Sequence, residues 1–253
     1  MQRYDDTEQG GGAGPSPINP LPPVVIVLFA AIMAVEAMFT LGAQGLAGGP
    51  QAIGWRLGAI QTYAFSADIF QWMLANGRWP AEHLLRFVSF PFVHANFTHA
   101  LFAGIMVLAL GKFVGEAFRG WAVLVVFFGA SFGGAVIYGM IVSSGVPLIG
   151  AFPGVYGLIG AFTYVLWLRL GQEGGPQLRA FTLIAFLMGI QLVFGVLFGG
   201  SADWIADLVG FVCGFALSFA VSPGGFARLR DKLRHESGAV VLWIFDAGRN
   251  ARP

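Results

Sequence analysis

The chain has 253 residues, 57% of them in the Ala, Val, Ile, Leu, Met, Phe, Trp, Tyr and Cys set, with 37 Gly besides. Charged residues make up only 11% and mean hydropathy is +0.73. So few charges cannot cover a soluble domain, which points to an all-α integral membrane protein. A net charge of +1, without a basic motif beyond the membrane pattern, excludes nucleic acid as a partner.

Residues 1–22 are polar and rich in Gly and Pro, with Asp5, Asp6 and Glu8 against Arg3, and read as a disordered tail. It is acidic where a signal peptide needs positive charge, so the first apolar run is expected to stay as an anchor. Apolar runs of about the ~20 residues that cross a bilayer recur near Val24–Leu41, Phe90–Leu110, Trp121–Ser143, Gly150–Leu168, Leu178–Phe198 and Ala202–Val221. The expectation is a six-span domain over 23–222. The intervening 51–85 stretch is broken by Arg56, Asp68, Arg78 and Glu82, and reads as a long loop with short interfacial helices.

Basic residues set the orientation. The tail, the 111–120 and 169–179 loops and the C-terminus hold eleven Lys and Arg, against Arg56, Arg78 and Arg86 on the other side. This bias predicts cytoplasmic termini and an external 43–89 loop. Residues 223–253 form a basic tail in which Phe226, Leu229 and Leu233 recur at helical spacing among Arg228, Arg230, Lys232 and Arg234. That pattern suits a short helix on an anionic lipid surface. Twelve Arg against two Lys suggest a GC-rich bacterial source, hence a bacterial inner membrane.

Three of the expected spans run in the same direction, and they place His94, His99, Gly150, Tyr156 and Asp207 at similar depth. Intramembrane ionisable groups are expensive, and they face a bundle interior or water. Gly150/Gly154, Gly157/Ala161 and Ala206/Gly210/Gly214 form small-residue stripes that predict a tight contact between spans four and six. Read on one helix, His94 and His99 lie about 140° apart, which speaks against a shared metal ion. Glu36 has no second charge near it in span one and reads as a snorkelled or neutral carboxyl, with a partner contact or ion path as the alternative. Cys213 reads as a packing residue. Alone, it excludes a disulfide framework or a cysteine-based zinc site within one chain, and no cofactor is expected.

The segment Gly150-Ala-Phe-Pro-Gly-Val-Tyr-Gly-Leu-Ile-Gly-Ala161 resembles the fourth span of rhomboid intramembrane proteases, G-x-S-G followed by an aromatic and G-x-x-G. Ala206-Asp-Leu-Val-Gly-Phe-Val-Cys-Gly214 resembles their sixth span, A-H-x-x-G-x-x-x-G. Residues 85–103, with His94 and His99 after Arg86, resemble their second. The resemblance covers about residues 24–222 and implies a six-helix rhomboid-like bundle with a long external first loop.

It also implies a Ser–His dyad with a second His and an Asn at the oxyanion. Phe152 stands at the Ser position, Pro153 at the following Gly, Asp207 at the base His and Ala103 at the Asn. Of the four, only His99 matches. Phe offers no nucleophile, Ala no hydrogen-bond donor, and Pro153 removes a backbone N–H where the family uses main-chain donors. The implied function is a pseudoprotease in membrane lipid, binding transmembrane partners through His94, His99, Phe152, Tyr156 and Asp207 or serving in a larger membrane complex. The alternative is an active protease with a relocated nucleophile such as Ser143, Ser144 or Ser201. A hydrogen bond between Asp207 and His99, direct or through one water, is expected, set against an unpartnered, hydrated Asp207.

Overall fold

The computed structural model describes residues 20–143, 145–198 and 200–224. The described residues are helical apart from connecting turns. Five helices are long and apolar enough to cross a membrane: α1 (Pro23–Ala43), α5 (Phe97–Ala117), α6 (Gly120–Ile141), α7 (Phe152–Gln172) and α9 (Asp203–Val221). Between α1 and α5 lie three short helices, α2 (Trp55–Tyr63), α3 (Ala67–Asn76) and α4 (Ala81–Ser89). The expected run Leu178–Phe198 begins as a 3-10 turn (Gln177–Phe181) and continues as the shorter apolar helix α8 (Thr182–Phe198). The basic segment Phe226–Arg234 and most of the acidic leader lie outside the described residues.

Small residues set how the long helices pair. A Cβ on Gly214 would collide with the backbone of Gly157, one on Gly210 with the carbonyl of Pro153, and one on Gly160 with the backbone of Phe211 and Phe215. α7 and α9 therefore run parallel in backbone contact, beginning at the same end of the bundle. α6 runs antiparallel to α9, with Gly134 against the Ala206 carbonyl, Gly133 under Cys213 and Gly129 under Leu217. α1 is antiparallel to α5: Val25 seats on Gly111, and Phe29 on Gly104. In lipid, such contacts replace the hydrophobic drive, because van der Waals packing is what remains.

Two expectations about these stripes change. Gly150 is not helical: its φ of 91° is left-handed and lies just before α7. Gly154 faces α6, where a Cβ would meet Phe127 and Ser131, rather than α9. Phe90–Leu110 changes as well. Pro91 sits in a 3-10 turn (Phe90–Phe92), and α5 starts only after Asn96, whose Oδ1 accepts from His99 N at 2.9 Å. That side-chain cap fixes the helix start. His94 is thus in a connecting segment, and the helical-angle argument for the two histidines does not apply.

The short helices pack an aromatic cluster, Phe65, Phe70, Phe87 and Phe90, against Tyr138 of α6. Phe65 and Leu148 exchange backbone hydrogen bonds of 3.1 and 2.8 Å. Arg86 donates to the carbonyls of Ala64 and Gln61 at 2.8 Å each, and Gln71 Nε2 to those of Gly139 and Val142 at 2.9 and 3.1 Å. These bonds satisfy carbonyls left over at the ends of α2 and α6.

Glu36 is neither snorkelled nor isolated. Its carboxylate, 1% exposed, accepts from Arg56 Nη2 at 2.6 Å, Arg56 Nη1 at 2.8 Å and Thr40 Oγ1 at 2.9 Å. Arg56 Nη1 also donates to the His94 carbonyl at 2.7 Å. A residue counted from sequence only as a loop charge thus ties α1, α2 and the segment before α5 together. The forked guanidinium matches both carboxylate oxygens, the strong geometry for such a pair.

Two outcomes follow for unfolding in detergent or bicelles. Gly214→Ala should lose ~1–3 kcal/mol or more through overpacking against Gly157, whereas Gly189→Ala, with open space at its Cβ, should change little. Equal effects would refute the proposed contact. Arg56→Ala should cost ~3–5 kcal/mol by stranding a buried carboxylate, and adding Glu36→Gln should restore part of it. Additive losses would contradict the pairing.

Candidate functional site

The helix ends where α5, α7 and α9 begin surround a cavity of about 380 Å³. α5 contributes His99, α7 Phe152, Pro153 and Tyr156, α8 Leu187, Ile190 and Gln191, and α9 Asp203 and Asp207, while Ser201 precedes α9. A second space of about 520 Å³ shares His99, Phe152, Tyr156 and Leu187 and adds Phe102, Met106, Val155 and Ile159. It is mainly apolar. The helix starts converge here because α7 and α9 are held in parallel register by their glycines.

Asp207 and His99 share no direct hydrogen bond. Asp207 Oδ2 instead accepts from Gln191 Nε2 at 2.8 Å, and Gln191 Oε1 accepts from the Tyr156 hydroxyl at 3.0 Å. Tyr156 and Asp207 are buried, and Gln191 half-buried. The chain Tyr156–Gln191–Asp207 joins α7, α8 and α9. His99 lies flat on Phe152, ring centroids 5.0 Å apart and 11° between planes, and its Nδ1 accepts from Ala95 N at 3.3 Å. Neither contact involves Asp207.

His94 serves the backbone. Its Nε2 accepts from Ala151 N at 3.3 Å, so the turn before α7 is anchored to the turn before α5. The two imidazoles meet edge to face at 5.2 Å. The Gly150 N–H bonds the Phe90 carbonyl at 3.1 Å, and a Cβ there would press on the His99 ring. That close approach, together with its left-handed backbone, calls for glycine at 150. Among the described residues no three His, Cys, Asp or Glu side chains gather as a metal site.

Phe152 and Asp207 line one cavity with His99, while Ala103 is fully buried on α5, one turn further along. Of the alternative serines, Ser201 lines the cavity, Ser143 lies beside Gln71 and Ser144 falls outside the described residues. Gln191 and Arg56 were not foreseen as site or anchor residues. Gln191 carried a signal, as the lone amide in the interior of an otherwise apolar run. Arg56 carried none, since its partner lies twenty residues earlier on another helix.

The family model described as the Rhomboid domain matches residues 81–224, somewhat over half of the chain. The match takes in the cavity and every long helix except α1. The chain belongs to the rhomboid family. No curated protein matches it closely enough to lend a more specific description.

His94 offers a pH test. Burial, with a smaller contribution from His99, lowers its imidazole pKa from the ordinary 6.5 to about 4. The unfolded chain therefore binds a proton that the fold refuses between those values, and stability contributed by neutral His94 is lost as pH falls from about 6.5 towards 4. Melting midpoints should decline over that window. His94→Gln, which keeps an acceptor for Ala151, should decline less steeply. An unchanged slope in the variant would show that His94 is not the group responsible.

Proposed function

We propose that this chain is a non-catalytic rhomboid-like membrane protein, a pseudoprotease whose cavity receives a transmembrane partner. The observation that carries this reading is the stack of Phe152 on His99. An aromatic ring occupies the position where the family resemblance calls for the serine nucleophile, and it has no lone pair or proton to activate. Pro153 lacks a backbone N–H beside it. Asp207, at the base position, is engaged by Gln191 rather than by a hydroxyl.

In this reading α8 completes a six-span bundle in a bacterial inner membrane. Both termini are cytoplasmic, and α2–α4 form the long external first loop. The apolar second space, bounded by α5, α7 and α8, provides lateral access for the partner's helix. A fixed place in a larger membrane complex is the same binding made permanent.

Ser201 favours a second reading, an active protease with a relocated nucleophile, because it lines the cavity with His99. Reconstituted protein should leave a model transmembrane substrate uncut beside an active rhomboid, and Ser201 should not react with a fluorophosphonate probe. Turnover abolished by Ser201→Ala would overturn the pseudoprotease reading. Replacing Phe152→Ser, Asp207→His and Ala103→Asn together should still yield little turnover, since Pro153 remains.

A further inference from the structure

Four residues line both spaces: His99 of α5, Phe152 and Tyr156 of α7 and Leu187 of α8. Together they form a wall across the bundle from α5 to α8. Between α5 and α7 it is closed by the flat stack of Phe152 on His99, and between α7 and α8 by the bond from the Tyr156 hydroxyl to Gln191. Both rings of the stack are held by their own backbone surroundings. Asn96 caps the helix that carries His99, and Ala95 N bonds its imidazole. Phe152 lies between Ala151, whose N–H is bonded to His94, and Pro153, whose ring fixes φ in the first turn of α7.

The two sides of the wall differ in chemistry. One side has Gln191, Ser201 and Asp207, and the other has Phe102, Met106, Val155 and Ile159. An intact helix satisfies its own backbone N–H and C=O groups and asks only for apolar contact in lipid. An extended stretch bares those groups, and each costs free energy unless a polar group meets it. The apolar space therefore suits one side of a helix, and the polar cavity an extended stretch. Phe152 closes the wall between them by bulk alone: with a small side chain at 152 the two spaces join beside His99.

We propose that the Phe152 ring, closed on His99, decides what the site accepts: a partner's transmembrane helix docks unbroken in the apolar space, and no extended stretch of its backbone passes into the polar cavity. This rests on the reading of the site as partner-binding, narrows it to the apolar space and makes Phe152 the residue that determines specificity.

The test uses the full chain in phosphatidylcholine vesicles. Water access is read with Met106→Cys in a Cys213→Ala background, labelled by a charged, membrane-impermeant thiosulfonate. Phe152→Ala should raise the labelling rate about tenfold over the same protein with Phe152 in place, because water then reaches the apolar space from the cavity. Partner choice is read by energy transfer to two labelled Leu/Ala peptides of about twenty residues, long enough to span. One is unbroken, and the other carries a Gly-Pro pair about one turn from the end in the cavity's leaflet. The parent should bind the unbroken peptide about fivefold more tightly. Phe152→Ala should bind the broken peptide about fivefold more tightly than the parent does, a gain that an unfolded variant cannot give. An unchanged labelling rate would overturn the partition. If the parent binds both peptides equally, selection for an unbroken helix is wrong and the partner-binding reading stands. If neither peptide binds either protein, both are overturned. Should Phe152→Ala fail to fold, Phe152→Leu, which cannot stack flat on His99, decides by the same two measurements.

Discussion

The backbone contact between α7 and α9 is the constraint on which the rest of the structure depends. Gly160 on one helix and Gly210 and Gly214 on the other leave no room for a Cβ, and Gly157 offers its backbone to Gly214. Because the contact is made by backbone, it does not depend on which side chains occupy positions 152 and 207. Catalytic hydrogen bonding can then be absent while the helix starts still converge. The cavity is a consequence of that register, and its chemistry is free to change within it.

Polar groups inside the bundle are few, and most are matched. Glu36 is held by Arg56 and Thr40, and Arg56 passes the connection on to the His94 carbonyl. His94 in turn holds the Ala151 N–H at the start of α7. A sequence of short polar contacts thus runs from α1 through the short helices to the edge of the cavity. α8 is held by Ile184 and Met188, which are buried in the main apolar cluster, and by Gln191, which bonds it to both α7 and α9. That amide is the polar link by which α8 borders the cavity.

Hydropathy made α1, α6 and α9 legible to within two residues, because a long apolar run in an all-helical membrane protein leaves little choice of element. The start of α5 was not legible. Asn96 overrides the apolar run that begins at Phe90, and a cap is a local side-chain bond that hydropathy does not register. Gly150 read as part of a helical stripe because spacing carries no information on the sign of φ. The cavity residues His99, Phe152, Tyr156 and Asp207 were legible through depth and family resemblance. Their pairing was not: with Gln191 overlooked, His99 looked like the available partner for Asp207. Glu36 and Arg56 show the same limit, since a contact between distant segments needs the fold before it can be seen.

The central claim is that glycine-mediated backbone contact, rather than polar chemistry in the cavity, holds this fold. Gly160 and Gln191 separate the two most directly. Unfolding free energies of Gly160→Ala and Gln191→Ala, measured in the same bilayer mimic, should rank Gly160→Ala as clearly the more destabilising, since its Cβ would strike the backbone of Phe211 and Phe215. A larger loss for Gln191→Ala, with Gly160→Ala close to the parent, would contradict the account.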